Sequence, residues 1–226
     1  VGISLLKAQE LGKLNLDDPI NKYLPISITN PFYPQVDITI RHLANHTSTI
    51  IDTDYYDHSS YFLKNNDYLT SSTPIKIYDY FNAPNERIPI LEFIKKMIYT
   101  DDESCCREVF LDERPGTNYK YSNGATTLAA VVLELATDMS FIDFTTIYIL
   151  DPLEMTSSSW NPNDTNAKLY YDADTVYADY YDLGYPAGGL VSNTNDMSKY
   201  LRELINGYSG NGSILSEKSY RELFNL

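Results

Sequence analysis

Four stretches of this chain carry apolar residues at helical spacing, and none sustains the alternation of a strand. In "IPILEFIKKMIY", Ile90, Leu91, Ile94, Met97 and Ile98 share one face, and Pro89 suits the first turn. In "ATTLAAVVLELA", Leu128, Val131, Val132, Leu135 and Ala136 form a similar stripe. "SFIDFTTIYIL" follows with Ser140 as cap and Phe141, Phe144, Ile147 and Tyr148 predicted inward. In "NTNDMSKYLRELI", Met197, Tyr200, Leu201, Leu204 and Ile205 repeat the pattern behind a cap at Asn193 or Thr194. A last short helix is predicted after Ser216. The chain is therefore expected to be mainly helical, with little sheet of its own.

Two long Tyr/Asp/Asn-rich loops, about Thr49 to Arg87 and Ser157 to Pro186, separate these helices. Loops of that length in a compact domain are usually functional or insertions. The start, "VGISLLKAQELG", has helical residues and a Gly12 stop signal but no N-cap or acidic first turn. A helix with an end and no beginning implies residues upstream of Val1, so residues 1–226 are expected to be one partial domain, truncated at both ends.

Composition excludes more than it selects. A hydrophobic share of 43% in 226 residues is enough for a real core. A formal net charge of -14 argues against nucleic acid or an anionic membrane as partner. No apolar run reaches the roughly 20 residues of a membrane-spanning helix. Cys105 and Cys106 are adjacent, which strains disulfide geometry, so both are expected to be free thiols.

The chain has no G-x-S-x-G elbow, P-loop, H-E-x-x-H or spaced cysteine cluster. His42 and His46 stand four apart in "RHLANH" but lack an evident third ligand. They are expected to be structural, tied to loop backbone, and no metal or organic cofactor is implied. The stretch "PGTNYKYSNG", Pro115 to Gly124, is different: it closes a loop and opens the "ATTLAAVV" helix. Turn chemistry accounts for Pro and Gly there, and Ser122 or Asn123 can cap the helix that follows. On that reading Tyr121 is a loop aromatic packed at the helix start; the sharper reading makes Tyr121 and Asn123 two parts of an acyl-transfer site.

Five blocks in order, "LGKLNLDDPINKYLP", "ITIRHLANHTS", "PGTNYKYSN", "ILDPLEMTSSSW" and "PAGGLVSNTNDMSKYL", resemble the serine β-lactamase and penicillin-binding-protein-like superfamily. The resemblance is to its class C β-lactamase, DD-peptidase and esterase branch. It implies an α/β plus all-α fold, of which this chain holds the helical portion, and it makes Tyr121-Ser122-Asn123 the Tyr-x-Asn element. The family's Ser-x-x-Lys pair is expected upstream of Val1. The string Ser4-Leu5-Leu6-Lys7 is expected to be a coincidence about two helical turns too late. The Lys-Thr-Gly or His-x-Gly element belongs beyond Leu226.

The chemistry implied is attack by the family serine on a carbonyl, giving an acyl-enzyme. Tyr121 accepts the serine proton, with its phenolate favoured by the lysine, or relays a proton that the lysine takes; the sequence leaves both open. Asn123 holds the substrate and orients the lysine. The partner is a small-molecule or peptide substrate, namely a β-lactam, a D-Ala-D-Ala-type peptide or an ester. The family setting favours a periplasmic or extracellular location, and the rival reading is a non-catalytic binding or scaffold relative. Thr49, Asp138 and Glu154 stand where the family usually has glycine in a left-handed conformation, which costs about 1 kcal/mol or more each.

Overall fold

A computed structural model describes residues 1–65, 73–99, 107–161 and 167–224. Cys105 and Cys106 lie outside these residues. In chain order the elements are α1 (Gly2–Glu10), α2 (Ile40–Ala44), α3 (Asp54–Ser59), β1 (Tyr61–Leu63), β2 (Ile75–Lys76), α4 (Ile90–Ile98) and α5 (Asn123–Thr137). They continue with α6 (Phe141–Thr145), which passes into a π-turn segment over Thr146–Leu150, then β3 (Val176–Tyr177), β4 (Tyr180–Asp182) and α7 (Tyr185–Gly188). The last two are α8 (Thr194–Tyr208) and α9 (Glu217–Phe224).

Helix α5 is the axis of the fold. The sequence predicts a stripe, but Ala125, Leu128, Ala129, Ala130, Val131, Val132 and Leu133 are all buried, which is burial nearly all round. It packs against α1, α2, α4, α6 and α7. Leu135, predicted inward, is exposed near the helix end. The helix stops at Asp138, which takes a left-handed φ of 56° and donates its N–H to the Glu134 carbonyl. Among the described residues no single helix is long and apolar enough to cross a membrane.

Two predicted faces are corrected. Ser140 caps α6, and Phe141 and Phe144 are buried as expected. Beyond them the helix widens: the Thr145 hydroxyl donates to the carbonyls of Phe141 and Ile142, and i→i+5 turns follow. The added residue per turn rotates Ile147 outward and sends Ile149 and Leu150 into the core, while Tyr148 stays packed on Phe144.

In α8, capped by Asn193, Tyr200 and Leu204 pack on the core but Met197, Leu201 and Ile205 do not. The face turned inward carries Asp196 and Glu203, each saturated with partners. Asp196 accepts from the Ser157 N–H at 2.8 Å and the Ser158 hydroxyl at 2.9 Å, and pairs with Lys199 at 3.2 Å. Glu203 accepts from the N–H groups of Ser213 and Ile214 and from the Tyr220 hydroxyl, which ties α8 to α9. Partnered carboxylates tolerate burial, so this face docks and the apolar stripe is left at the surface.

The two tyrosine-rich loops pair with each other. Strand β1 runs antiparallel to β4, with Tyr61 opposite Asp182 and Leu63 opposite Tyr180. Strand β2 runs parallel to β3, with Ile75 opposite Val176. Rings fill the seam: Tyr78 stacks on Tyr80 at 4.7 Å and lies 5.3 Å from Tyr177, and the Tyr78 and Tyr177 hydroxyls are hydrogen-bonded at 2.6 Å. Aromatic pairs of this kind add about 0.5–1.5 kcal/mol each beyond their buried area. Among the described residues these two small sheets are the only named ones, which agrees with a mainly helical chain.

Candidate active site

The start of α5 is held in place by a strip of backbone bonds. Segment 46–51 is laced to segment 109–120: Ile51 N–H to the Val109 carbonyl, Leu111 N–H to Thr49, Gly116 N–H to Thr47, and Lys120 N–H to His46. Gly116 has a φ of +89°, and a side chain there would meet His42 Nε2 at 2.6 Å. The Pro115-Gly116 turn is therefore required by both dihedral angle and space. This strip delivers Tyr121, Ser122 and Asn123 to the helix N-terminus.

Ser122 is the N-cap, its Oγ accepting from the Ala125 N–H at 2.9 Å. The Tyr121 hydroxyl donates to Asn123 Oδ1 at 2.9 Å, and Tyr121 remains 52% exposed. The structure thus brings Tyr121 and Asn123 together on an open surface, while Ser122 between them is fully buried.

His42 and His46 are tied to backbone, as expected. His42 Nδ1 accepts from the Thr39 N–H at 3.2 Å, which closes a capping box on α2. His46 Nδ1 accepts from the Ser122 N–H at 3.3 Å, and its ring lies 4.6 Å from that of Tyr121. Both rings must be neutral at Nδ1 to accept. Burial lowers both pKa values, against the opposing charges of Asp17 near His42 and Asp52 near His46. No group of three or more candidate metal ligands occurs among the described residues.

The residue that sequence reasoning missed is Asp52, which contacts every residue from Ser122 to Gly124. It accepts from the Ser122 hydroxyl at 2.7 Å, the Asn123 N–H at 2.8 Å, Asn123 Nδ2 at 3.1 Å and the Gly124 N–H at 2.8 Å. Gly124 makes room for it: a side chain there would meet Met97 Sδ at 2.7 Å and Asp52 Oδ1 at 3.2 Å.

The Ser4–Lys7 string has no part in this arrangement. Ser4 is buried in α1 with its hydroxyl unpartnered, and Lys7 Nζ donates to the Ile214 carbonyl at 2.8 Å. A cavity of about 210 Å³ lies between the start of α1, His46, Thr126 of α5 and Pro186 and Ala187 of α7. The three predicted left-handed positions are left-handed: Thr49 at φ 70°, Asp138 at 56° and Glu154 at 54°, joined by His46 at 56°.

A buried central helix wrapped by shorter ones, entered through a Tyr-Ser-Asn triplet, is the helical body of the β-lactamase and penicillin-binding-protein fold. The chain belongs to the Beta-lactamase family, whose model matches residues 1–226. It is 24% identical over 213 residues to Protein flp of Staphylococcus aureus (strain MRSA252), covering 91% of this chain and 36% of that protein. It is 29% identical over 155 residues to penicillin-binding protein 4* of Bacillus subtilis (strain 168), covering 69% of this chain and 26% of that protein. Among solved structures, the octameric penicillin-binding protein homologue from Pyrococcus abyssi superposes with a TM-score of 0.63 at 21% identity, over 97% of this chain and 45% of that one. The D-amino acid amidase from Ochrobactrum anthropi SV3 gives 0.63 at 21% identity, over 98% and 56%. The chain thus spans about a third of the length of the curated relatives it matches and about half of these structures.

Proposed function

We propose that this chain is the helical part of a serine hydrolase that cleaves an amide or ester bond through an acyl-enzyme, with Tyr121 and Asn123 in its active site. The single observation that carries this reading is the Tyr121–Asn123 hydrogen bond at 2.9 Å on an exposed surface. Its ring leans on His46, and its hydroxyl meets the side-chain amide of Asn123. In this role Tyr121 moves the proton of the attacking serine, and Asn123 orients the substrate. Names among the related folds support an amide-bond substrate: the D-amino acid amidase, and a D-stereospecific amidohydrolase from Streptomyces sp.. The Ser4–Lys7 string takes no part in this reading, because the Ser4 hydroxyl is buried in α1 and Lys7 is bound to the Ile214 carbonyl. A non-catalytic binding relative is the competing reading, favoured by the three non-glycine left-handed positions.

The test is fluorescent-penicillin labelling and ester hydrolysis, with the 226-residue chain beside the protein that also carries a Ser-x-x-Lys pair. The chain alone should take no label, and labelling of Ser4 would overturn its exclusion. In the complete protein Tyr121→Phe should slow acylation roughly 10²–10⁴-fold, the usual worth of a positioned proton-transfer group. Wild-type rates in Tyr121→Phe would sink the proposal.

A further inference from the structure

The geometry points to Asp52 as the positioning residue of the Tyr121–Asn123 pair, a role that rests on the function proposed above. Capping alone does not explain its bonds. Ser122 already caps α5, and the Asn123 and Gly124 amides are the helix-end donors that Asp52 adds to that cap. The fourth donor, Asn123 Nδ2 at 3.1 Å, is not a helix-end group and needs no cap. Its bond has a different effect: it fixes which way the amide faces. An ionised carboxylate only accepts, so it draws the NH₂ group to its side and turns Oδ1 away. Oδ1 is the atom that takes the Tyr121 hydroxyl. Asp52 thus sets the orientation of Asn123, and Asn123 sets that of the Tyr121 hydroxyl.

The arrangement is rigid at its base. Four donors fill the roughly four acceptor sites of one carboxylate. Charge-assisted bonds to backbone N–H groups at a helix N-terminus are strong, and the helix dipole favours the negative charge there. Asp52 is also one residue from Ile51, whose N–H is locked to the Val109 carbonyl in the backbone strip. The loop that brings Asp52 in is therefore fixed to the loop that brings Tyr121 in. The same carboxylate lies near His46, the ring against which Tyr121 packs.

The experiment is a double-mutant cycle on a nitrophenyl ester in the active, complete protein, with circular dichroism and thermal melts as fold controls. Asp52→Asn is expected to lower kcat/KM roughly 10- to 100-fold, the scale of a small misplacement of a reacting group. In an Asn123→Ala background the same substitution should cost less than about 3-fold, because the residue it acts through is gone. An equal loss in both backgrounds overturns the proposal. Ser140→Ala removes the cap of α6 and touches none of Asp52, Asn123 or Tyr121, so it should lose stability without that loss of rate; an equal loss of rate makes the effect one of folding and overturns the proposal as well. A second arm needs no activity. In this 226-residue chain, the Asn123 side-chain amide protons should exchange slowly by NMR and lose that protection in Asp52→Asn. Unchanged protection refutes the positioning role. If Tyr121→Phe is fully active, the proposed function fails, and this second arm still decides what Asp52 does.

Discussion

His46 and Tyr121 pack ring against ring at 4.6 Å, with the Ser122 N–H donating to the imidazole beneath. His46 makes this contact from a left-handed φ of 56°, and the hydrogen bond needs its Nδ1 unprotonated. An exposed tyrosine is thereby given a fixed wall, and the wall titrates.

Stability should respond to pH with two opposed signs. His46 has a folded pKa lowered from 6.5 by burial, so the stability it contributes is present above 6.5 and lost as pH falls from there through the folded value. Asp182, at the end of β4, is pushed up from 3.8 to about 6 by burial, partly offset by the Gly184 N–H. Its contribution is complete below 3.8 and lost as pH rises through about 6. Urea midpoints at pH 7.5 and 5 separate the two. His46→Gln should show a smaller loss on acidification than wild type, and Asp182→Asn a larger one. Identical slopes in all three proteins would contradict the burial argument for both groups.

The left-handed positions should differ in how they tolerate glycine. Asp138 and Glu154 are exposed, so Asp138→Gly and Glu154→Gly should each raise stability by about 1 kcal/mol, as the Cβ penalty is removed. Thr49 is buried, and its Oγ1 accepts from Asn30 Nδ2 at 2.8 Å. Thr49→Gly relieves the same penalty but strips an acceptor from a buried amide, at a cost of about 1–3 kcal/mol. It should therefore be neutral or destabilising. Thermal melts rank the three, and Thr49→Gly as the most stable variant would be the failing result.

The outer face of α8 should drive association. Leu201 and Ile205 are 57% and 58% exposed, with Met197 and Tyr208 completing the stripe and Phe224 packed edge-on against Tyr208. A contiguous apolar stripe of this kind seeks cover. Sedimentation velocity on the 226-residue chain should show concentration-dependent assembly that Leu201→Glu with Ile205→Lys abolishes, at unchanged melting temperature. A wild-type chain that stays monomeric wherever the double variant does would remove the basis for this expectation.

Much of the helical body could be read in advance because its signals are local. Pro89, Ser140 and Asn193 sit next to the helices they start, and of the two cap candidates for α5, Ser122 and Asn123, the structure uses Ser122. The left-handed residues were legible for another reason: family resemblance marks them by the glycine they replace. Asp52 was not legible. It lies 71 residues from the Asn123 it binds, inside a loop where aspartates are common and periodicity says nothing. The outward turn of Ile147 depends on a π-turn that no side-chain pattern announces, and the α8 face on partners that Asp196 and Glu203 find outside their own helix. The pairing of β1 with β4 and β2 with β3 involves strands of two or three residues, too short for alternation to show.

That pairing makes strand register a shared property of the two loops. Tyr61 faces Asp182 across a register that a one-residue insertion within β1 would shift, turning Phe62 from the core to solvent. Neither strand of a pair can slip or be grafted elsewhere without the other, because each is the other's template. The two would be inherited, lost or transplanted together, as halves of one clasp divided between distant parts of the gene.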